Sequence, residues 1–410
     1  MQKLEDVATH MKDKLNFLTK KDDKNFDFLQ RTSATHIFDE KIINYLNDLS
    51  KAIFSDSRSK QYPDVATFAF FCRRANIKSI SKKYKNNTCR MIGHGILFHV
   101  APSNVPVNFA YSLVAGLLSG NINIVRVPSK NFDQVQIIAD AINQIEKTNK
   151  EVAKKIILVR YSNDNKSITK RFSELCNVRL IWGGDNTINS IRKEPLQPRS
   201  FDLTFSDRYS ICVINADEFI NESNPTSIAS GFYNDTYLFD QNACTSPHLI
   251  IWKGSNKNVK VSQEIFWSEL HKLVQNKYKF QTIQAVDKIT TFYNHSIAGS
   301  DIKNLKNTDN TLWRIKLNKL EKNIEEFRSN SGYFLEYQIS SLKNLTPIIN
   351  NKYQTMSYYG FSEDFLTDFI ENATPQGIDR IVPIGKTMDF SMIWDGYDLI
   401  ETLSRKIEII

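Results

Sequence analysis

Apolar positions recur with two different periods along this chain, and the change between them marks its organisation. From Phe38 to Phe54, Ile42, Ile43, Tyr45, Leu46, Leu49 and Ile53 fall on one face at helical spacing. Pro63 and Asp64 read as the start of a second helix through Phe68, Phe71 and Cys72. Residues 1–90 therefore read as mostly helical packing elements. The pattern then alternates. Met91–Val100 reads as strand; Pro106 opens a helix that ends near Gly120; Ile122–Val127 is strand. Phe132–Thr148 is a helix with Val135, Ile138, Ile142 and Ile145 on its buried face. Lys155–Tyr161 is strand, Ser167–Leu175 helix and Val178–Trp182 strand. Strands alternating with helices over short links predict a parallel sheet covered on both faces. Ligands of such sheets bind outside the carboxyl ends of the strands.

A second α/β unit starts at Ser210–Ile214. In it, Ile228–Tyr233 reads as the end of a helix and Leu249–Trp252 as a buried strand. Residues 255–345 are rich in Asn and Lys, with helical runs such as Ile265–Val274, and residues 300–312 read as an exposed loop. The pattern predicts an α/β chain in three segments. Residues 1–208 hold the N-terminal helices and a Rossmann-like cofactor domain, and 209–383 a catalytic domain. Residues 384–410 form a return segment in which Trp394, Asp395 and Gly396 are packing and turn residues.

Composition narrows the class. With 410 residues the chain exceeds one typical core. At 41% hydrophobic and 24% charged it reads as an ordinary soluble globular protein. The net charge of +8 is spread along the chain, with its tightest run at Lys78–Lys85, and no recognition motif accompanies it. Nucleic acid is therefore not an expected partner. Five cysteines without CxxC spacing argue against a disulfide framework and a structural zinc site. Met1–Asp6 carries no apolar signal region, and Val105–Leu118 is interrupted by Asn108 and Ser112, too polar for a membrane span. A reducing cytoplasm fits these features.

The chemistry concentrates in Phe239–Pro247, where Cys244 sits in a short polar loop between two apolar segments. Small polar neighbours leave room for a substrate and offer backbone donors. Loops on a rigid scaffold carry function, but a free cysteine is also a common packing residue, and the loop alone leaves both readings open. His248 follows close enough to tune the thiol or to point away from it; His94 and His99 read as structural.

The loop resembles the catalytic-cysteine loop of the aldehyde dehydrogenase superfamily, where a glutamine stands three residues before the nucleophile, as Gln241 stands before Cys244. Ala101–Pro106, Gly120-Asn121 running to Arg126–Lys130, Gly377–Gly385 and Trp394-Asp395-Gly396 are similar, in order, to the acyl-CoA reductase family within it. That family includes the long-chain fatty acid reductase of bacterial luminescence. Residues 1–90 and 255–345 carry no matching motif, and the chain is somewhat short for the luminescence enzymes. The resemblance implies an aldehyde dehydrogenase-like fold. It also implies reduction of an acyl thioester, a fatty acyl-CoA or acyl-protein, to a fatty aldehyde through an acyl-cysteine. Cys244 would be the nucleophile as a thiolate. Asn104 matches the asparagine whose amide, with the Cys244 N–H, receives the oxyanion. Asn104 could equally cap the helix after it.

No G-x-G-x-x-G occurs, and aldehyde dehydrogenases also lack it. The cofactor candidates are Arg126, Ser129 and Lys130 just past a strand, and Gly183 and Gly184 at the start of a helix, where backbone N–H groups suit a pyrophosphate. Arg126 replaces a common lysine and is bidentate and permanently charged, which points to NADPH, with NADH as the alternative. The water-activating glutamate of oxidising relatives has no match near Asp202–Arg208; Asp202 is the nearest substitute. Implied partners are an acyl-activating synthetase or acyl carrier and further copies of the chain in a homo-oligomer. The competing readings are an oxidative aldehyde dehydrogenase, and a non-catalytic scaffold or nucleic-acid binder on this fold.

Overall fold

Five-residue runs of Ile, Val and Leu build the first sheet. Its strands are β1 (Asn16–Phe17), β3 (Ile96–Val100), β4 (Ile122–Arg126), β5 (Ile156–Arg160), β6 (Val178–Trp182) and β7 (Phe201–Phe205); β2 (Arg90–Gly93) stands apart from it. Strands β3, β4 and β6 are buried at every position, as strands covered on both faces require. The computed structural model describes residues 15–19, 26, 29, 31–85, 89–298 and 301–409. Met1–Asp6 and most of the first thirty residues lie outside that range. Two compact units emerge: Met1–Ser206 with Tyr397–Ile410, and Asp207–Gly396.

The strand order of the first sheet is β1-β5-β4-β3-β6-β7. Every pairing is parallel except β1 with β5. The chain winds outward from β3 through β4 to β5, then crosses back to β6. The order therefore reverses between β3 and β6, and a crevice outside their carboxyl ends is the place where such sheets hold ligands. The stretch read as one strand, Met91–Val100, is two. β2 pairs antiparallel with Ser404–Ile407, and the break falls at Gly95, with φ of 130°. A Cβ there would stand 2.3 Å from Asn177 Oδ1, which accepts the Ile96 N–H at 2.8 Å. Only glycine fits that corner.

Helices Glu40–Ser55 and Pro63–Phe71 form where the apolar spacing places them. The Asp39 side chain caps the first, and Pro63 opens the second at its first turn.

The second unit holds β8 (Tyr209–Asn215), β9 (Pro247–Lys253), β10 (Ile302–Asp309), β11 (Leu312–Leu317), β12 (Tyr333–Ile339), β13 (Tyr353–Tyr359) and β14 (Arg380–Pro383). Their order is β10-β11-β12-β9-β8-β13-β14, with only the edge strand β10 antiparallel. Strand β10 corrects the expected loop at 300–312, of which residue 300 lies outside the described range. Ile302 and Leu305 pack on the core while Lys303 and Lys306 keep the edge polar. Polar edge strands read as loops because their alternation is weak. Glu336 on β12 is buried and accepts from Trp252, Trp267, Gln263 and Arg314, a carboxylate that ties β9, β11 and the helix Asn256–Lys277 together.

Candidate active site

The loop before β9 is fixed by two consecutive left-handed residues. Helix Pro225–Thr236 runs into a single turn at Tyr237–Phe239, and then Asp240 and Gln241 take φ of 51° and 60°. Such backbone is costly outside glycine and persists only where neighbours hold it. Here the Gln241 N–H donates to the Thr236 carbonyl at 2.7 Å and the Asn242 N–H to the Phe239 carbonyl at 2.8 Å. The Gln241 amide does the rest. Its Oε1 accepts from the Gly332 and Tyr333 N–H groups at 2.9 and 3.2 Å. Its Nε2 donates to the Pro247 and Tyr333 carbonyls at 2.9 and 3.1 Å. Both donors and both lone pairs are used. Gln241 clamps the starts of β9 and β12 and has nothing left to offer a substrate.

Cys244 follows inside this clamp. The Ser246 N–H closes a turn on the Ala243 carbonyl at 2.9 Å, and Ser246 Oγ donates to the Asp235 carbonyl at 2.8 Å. Ser210 Oγ donates to the Cys244 carbonyl at 2.6 Å and accepts the Thr355 N–H at 3.3 Å. The main chain of the cysteine is thereby tied to β8 and β13. The residue is partly exposed, yet its sulfur titrates as an enclosed group. Burial pushes the thiol up to about 12, and the Asp395 charge adds to this; a Gln354 hydrogen bond and Arg208 pull the other way. Burial also raises the Asp395 carboxyl, to about 6, against a Gln354 hydrogen bond and Arg208 that lower it. Gln354 Nε2 donates to Asp395 Oδ1. At neutral pH this thiol is protonated, so nucleophilic use of it requires a base.

His248 is not that base. Its Nδ1 lies 3.1 Å from the Ser329 carbonyl, its ring stacks on Tyr209, and burial lowers its pKa to about 3. His99 bridges Ser112 Oγ and Asn123 Oδ1 at 2.7 and 3.0 Å and is structural; His94 packs edge-on against Phe201. Asp202 is locked: its two oxygens accept from Arg179 Nε and Nη2 at 2.7 and 3.1 Å.

The remaining candidates lie in the first unit. Arg126, at the end of β4, is 7% exposed and turned inward. Its guanidinium stacks on the Tyr161 ring at 4.5 Å and donates to Asn163 and to the Tyr161 carbonyl. It does not present an outward charge to a phosphate, because the ring and these carbonyl oxygens hold it. Ser129 and Lys130 beyond it are exposed. Gly183 and Gly184 follow β6 at the reversal of strand order, and Gly184 stands at the N-terminus of helix Asp185–Arg192. A Cβ on Gly184 would meet nothing within 4 Å, whereas the Gly183 N–H is taken by the Phe205 carbonyl at 3.1 Å. Asn104 follows β3 at the same reversal and is exposed. It caps no helix: the helix begins at Asn108 after Val107, and no side chain caps it. Among the described residues, no cluster of His, Cys, Asp or Glu is suited to a metal ion, and no helix is long and apolar enough to cross a membrane.

Ser210, Gln354, Arg208 and Asp395 were not singled out as site residues from the sequence. They come from three separate segments, and only the Asp395-Gly396 pair carried a signal, that of a tight turn.

Comparison with known proteins places this geometry. A profile described as acyl-CoA reductase (LuxC) matches residues 72–406. The long-chain acyl-protein thioester reductase of Aliivibrio fischeri is 22% identical over 300 residues, covering 71% of this chain and 58% of the relative. That of Photobacterium phosphoreum is 22% identical over 321 residues, covering 76% and 61%. The chain thus spans about three fifths of the length of these curated relatives. Among solved structures, aldehyde dehydrogenase 21 of Physcomitrella patens superposes with a TM-score of 0.65 at 10% identity, covering 95% of this chain and 90% of that one. A lactaldehyde dehydrogenase gives 0.63 at 9% identity, covering 89% and 85%. At these identities the likeness is one of fold, the aldehyde dehydrogenase-like α/β fold.

Proposed function

The chain belongs to the acyl-CoA reductase (LuxC) family, and from that premise we propose that it reduces an acyl thioester to an aldehyde through an acyl-Cys244 intermediate, with NADPH as reductant. The observation that carries the reading is the cysteine loop. A thiol is held at the start of β9 by Gln241 and Ser210, among groups that set its ionisation. Cys244 attacks the thioester carbonyl, Asn104 supplies the side-chain donor to the oxyanion that its motif implies, and the departing thiol leaves an acyl-cysteine. Bound nicotinamide would supply the hydride. The helix N-terminus at Gly184 suits its pyrophosphate, and Lys130 with Ser129 suits the ribose phosphate, a role Arg126 is too buried to take.

The oxidative alternative needs a residue that activates water. Asp202, the nearest substitute in the sequence, has both of its oxygens held by Arg179. The acyl donor, a fatty acyl-CoA or an acyl-protein delivered by an acyl-activating or carrier protein, belongs to the proposal, as do a homo-oligomeric state and a reducing cytoplasm suited to a free thiol. The test is to incubate the purified chain with a long-chain acyl-CoA and NADPH. The expected result is fatty aldehyde formed in step with NADPH oxidation. Turnover of aldehyde to acid with NADP, and none of thioester, would establish the oxidative reading instead.

A further inference from the structure

We propose that Asp235 and Arg380 are positioning residues that dock the loop of residues 384–389 onto the turn carrying Cys244, and so fix and cover that turn; the catalytic consequence rests on the acyl-Cys244 reading above. Cys244 and Thr245 form the corner of the turn that the Ser246 N–H closes on the Ala243 carbonyl. Thr245, 2% exposed, donates from Oγ1 to Met388 Sδ at 3.3 Å. Ser246 Oγ donates to the main-chain carbonyl of Asp235 at 2.8 Å. The Asp235 carboxylate faces the other way. Its Oδ2 accepts the Gly385 N–H at 2.6 Å and its Oδ1 the Thr387 N–H at 3.1 Å. One residue thus holds the turn with its main chain and the loop with its side chain. The loop returns to the turn at Met388, and the contacts close a ring.

Arg380 grips the same loop from its carbonyl side. It donates to the Thr387 and Lys386 carbonyls at 2.8 and 3.1 Å and to the Asp389 carbonyl, while its guanidinium stacks on Trp394. The peptide between Lys386 and Thr387 therefore gives its N–H to a carboxylate and its C=O to a guanidinium. Both bonds are charge-assisted, and both favour the same orientation of that peptide. Two glycines let the loop come this close. Gly385 takes φ of 89°, and a Cβ on it would stand 3.0 Å from the Gly231 Cα in helix Pro225–Thr236. Arg380 and Gly385 both belong to the Gly377–Gly385 motif, which the thiol chemistry alone leaves without a role.

Asp235 is 1% exposed, and burial raises its carboxyl to about 6 against the two N–H groups that lower it. A buried charge is costly to the fold, and what this one secures is the placement of the loop. Once the loop is loosened, Met388 leaves Thr245. The turn is then uncovered, and the Cys244 N–H, the main-chain donor expected at the oxyanion, loses its set direction.

Iodoacetamide labelling of the folded full chain at neutral pH, read by mass spectrometry on the Cys244 and Cys212 peptides, tests this. Cys212 lies on β8 in the same unit at 0% exposure and reports any wider opening. Asp235→Asn keeps the size but turns an amide NH₂ toward one of the two N–H groups. It should speed labelling of Cys244 about tenfold, as the loss of one hydrogen bond to a charged group allows, and leave Cys212 protected. Met388→Ala removes the other end of the ring and should do the same. The double variant should label no faster than the faster single variant, because both act through one contact. An unchanged Cys244 rate in either single variant overturns the proposal. So does parallel labelling of Cys212, the mark of a purely stabilising residue, or a double variant whose effects multiply. If Asp235→Asn does not fold, Met388→Ala, at a half-buried position, carries the test alone. Arg380→Gln should also speed labelling, although loss of a cation near the thiol acts to slow it; an unchanged or slower rate removes Arg380 from the role. Acylation of Cys244 by a long-chain acyl-CoA should slow in the same variants, and acylation at the original rate would overturn the positioning role. Labelling needs neither thioester nor cofactor. A chain that shows these labelling effects but reduces no thioester would refute the proposed function and leave the docking standing.

Discussion

Buried polar groups are treated differently in the two units. Around β3 and β6 they are paired, although Tyr45 Oη, Asn108 Oδ1 and Arg126 Nε elsewhere in the first unit are buried without a partner. His99, Ser112, Asn123 and Trp182 form one hydrogen-bonded set, and Arg179, Asp202 and Ser173 another. Around β8, β12 and β13 many are left open. The hydroxyls of Tyr209, Tyr333 and Tyr353, Glu325 Oε2 and Trp313 Nε1 are buried without a partner. A cavity of about 260 Å³ lies against Tyr209, Glu325 and Lys352. Satisfied networks hold a scaffold in one arrangement. Shifted and unpaired groups collect where chemistry is done. By this measure the first unit offers a prepared surface and the second offers reactive groups.

The comparison breaks if a paired group proves catalytic. Asp202→Ala leaves Arg179, 1% exposed, without its carboxylate, and should cost roughly 3–5 kcal/mol of stability, while the folded fraction acylates Cys244 at the original rate. Chemical denaturation and single-turnover acylation measure the two effects; a selective loss of acyl-enzyme hydrolysis would make Asp202 a water activator after all. Asn104→Ala should do the reverse. It caps no helix, so its thermal midpoint should hold, while acylation slows by roughly 10²–10³. A loss of stability with normal acylation would confine Asn104 to structure.

Gln241→Ala sharpens the division inside the second unit. It strips four hydrogen bonds from the starts of β9 and β12. Roughly 2–3 kcal/mol of stability should go, with the thiol's response to pH kept. Lys130→Ala should have the smallest effect. KM for NADPH should rise about tenfold, the size of one charge-assisted contact of about 1.5 kcal/mol, and KM for NADH should barely move. Equal changes would remove Lys130 from the 2′-phosphate.

Much of the first unit was legible in the sequence because its strands are uniform apolar runs between turn residues. Val178–Trp182 appears in the structure with the boundaries the pattern gives. The Gly95 break was missed although Gly93-His94-Gly95 interrupts the apolar residues there, and β10 was missed because its edge is polar. At the site, Cys244 stood out through its loop. Its neighbours did not, because Ser210 and, through it, Thr355 meet it by the parallel register of β8, β9 and β13. Arg126 was legible as a cation after a strand but not as a buried one, since the Tyr161 ring that covers it comes from β5's far end.

The central claim is the acyl-Cys244 intermediate, and intact-protein and peptide mass spectrometry test it most directly. The chain is incubated with a long-chain acyl-CoA in the absence of NADPH, and the modified peptide is identified. The account predicts one acyl group per chain on the Cys244 peptide, released as aldehyde when NADPH is added, and no label on Cys244→Ala. Acyl label that persists on the alanine variant, or that sits on another residue, would contradict it.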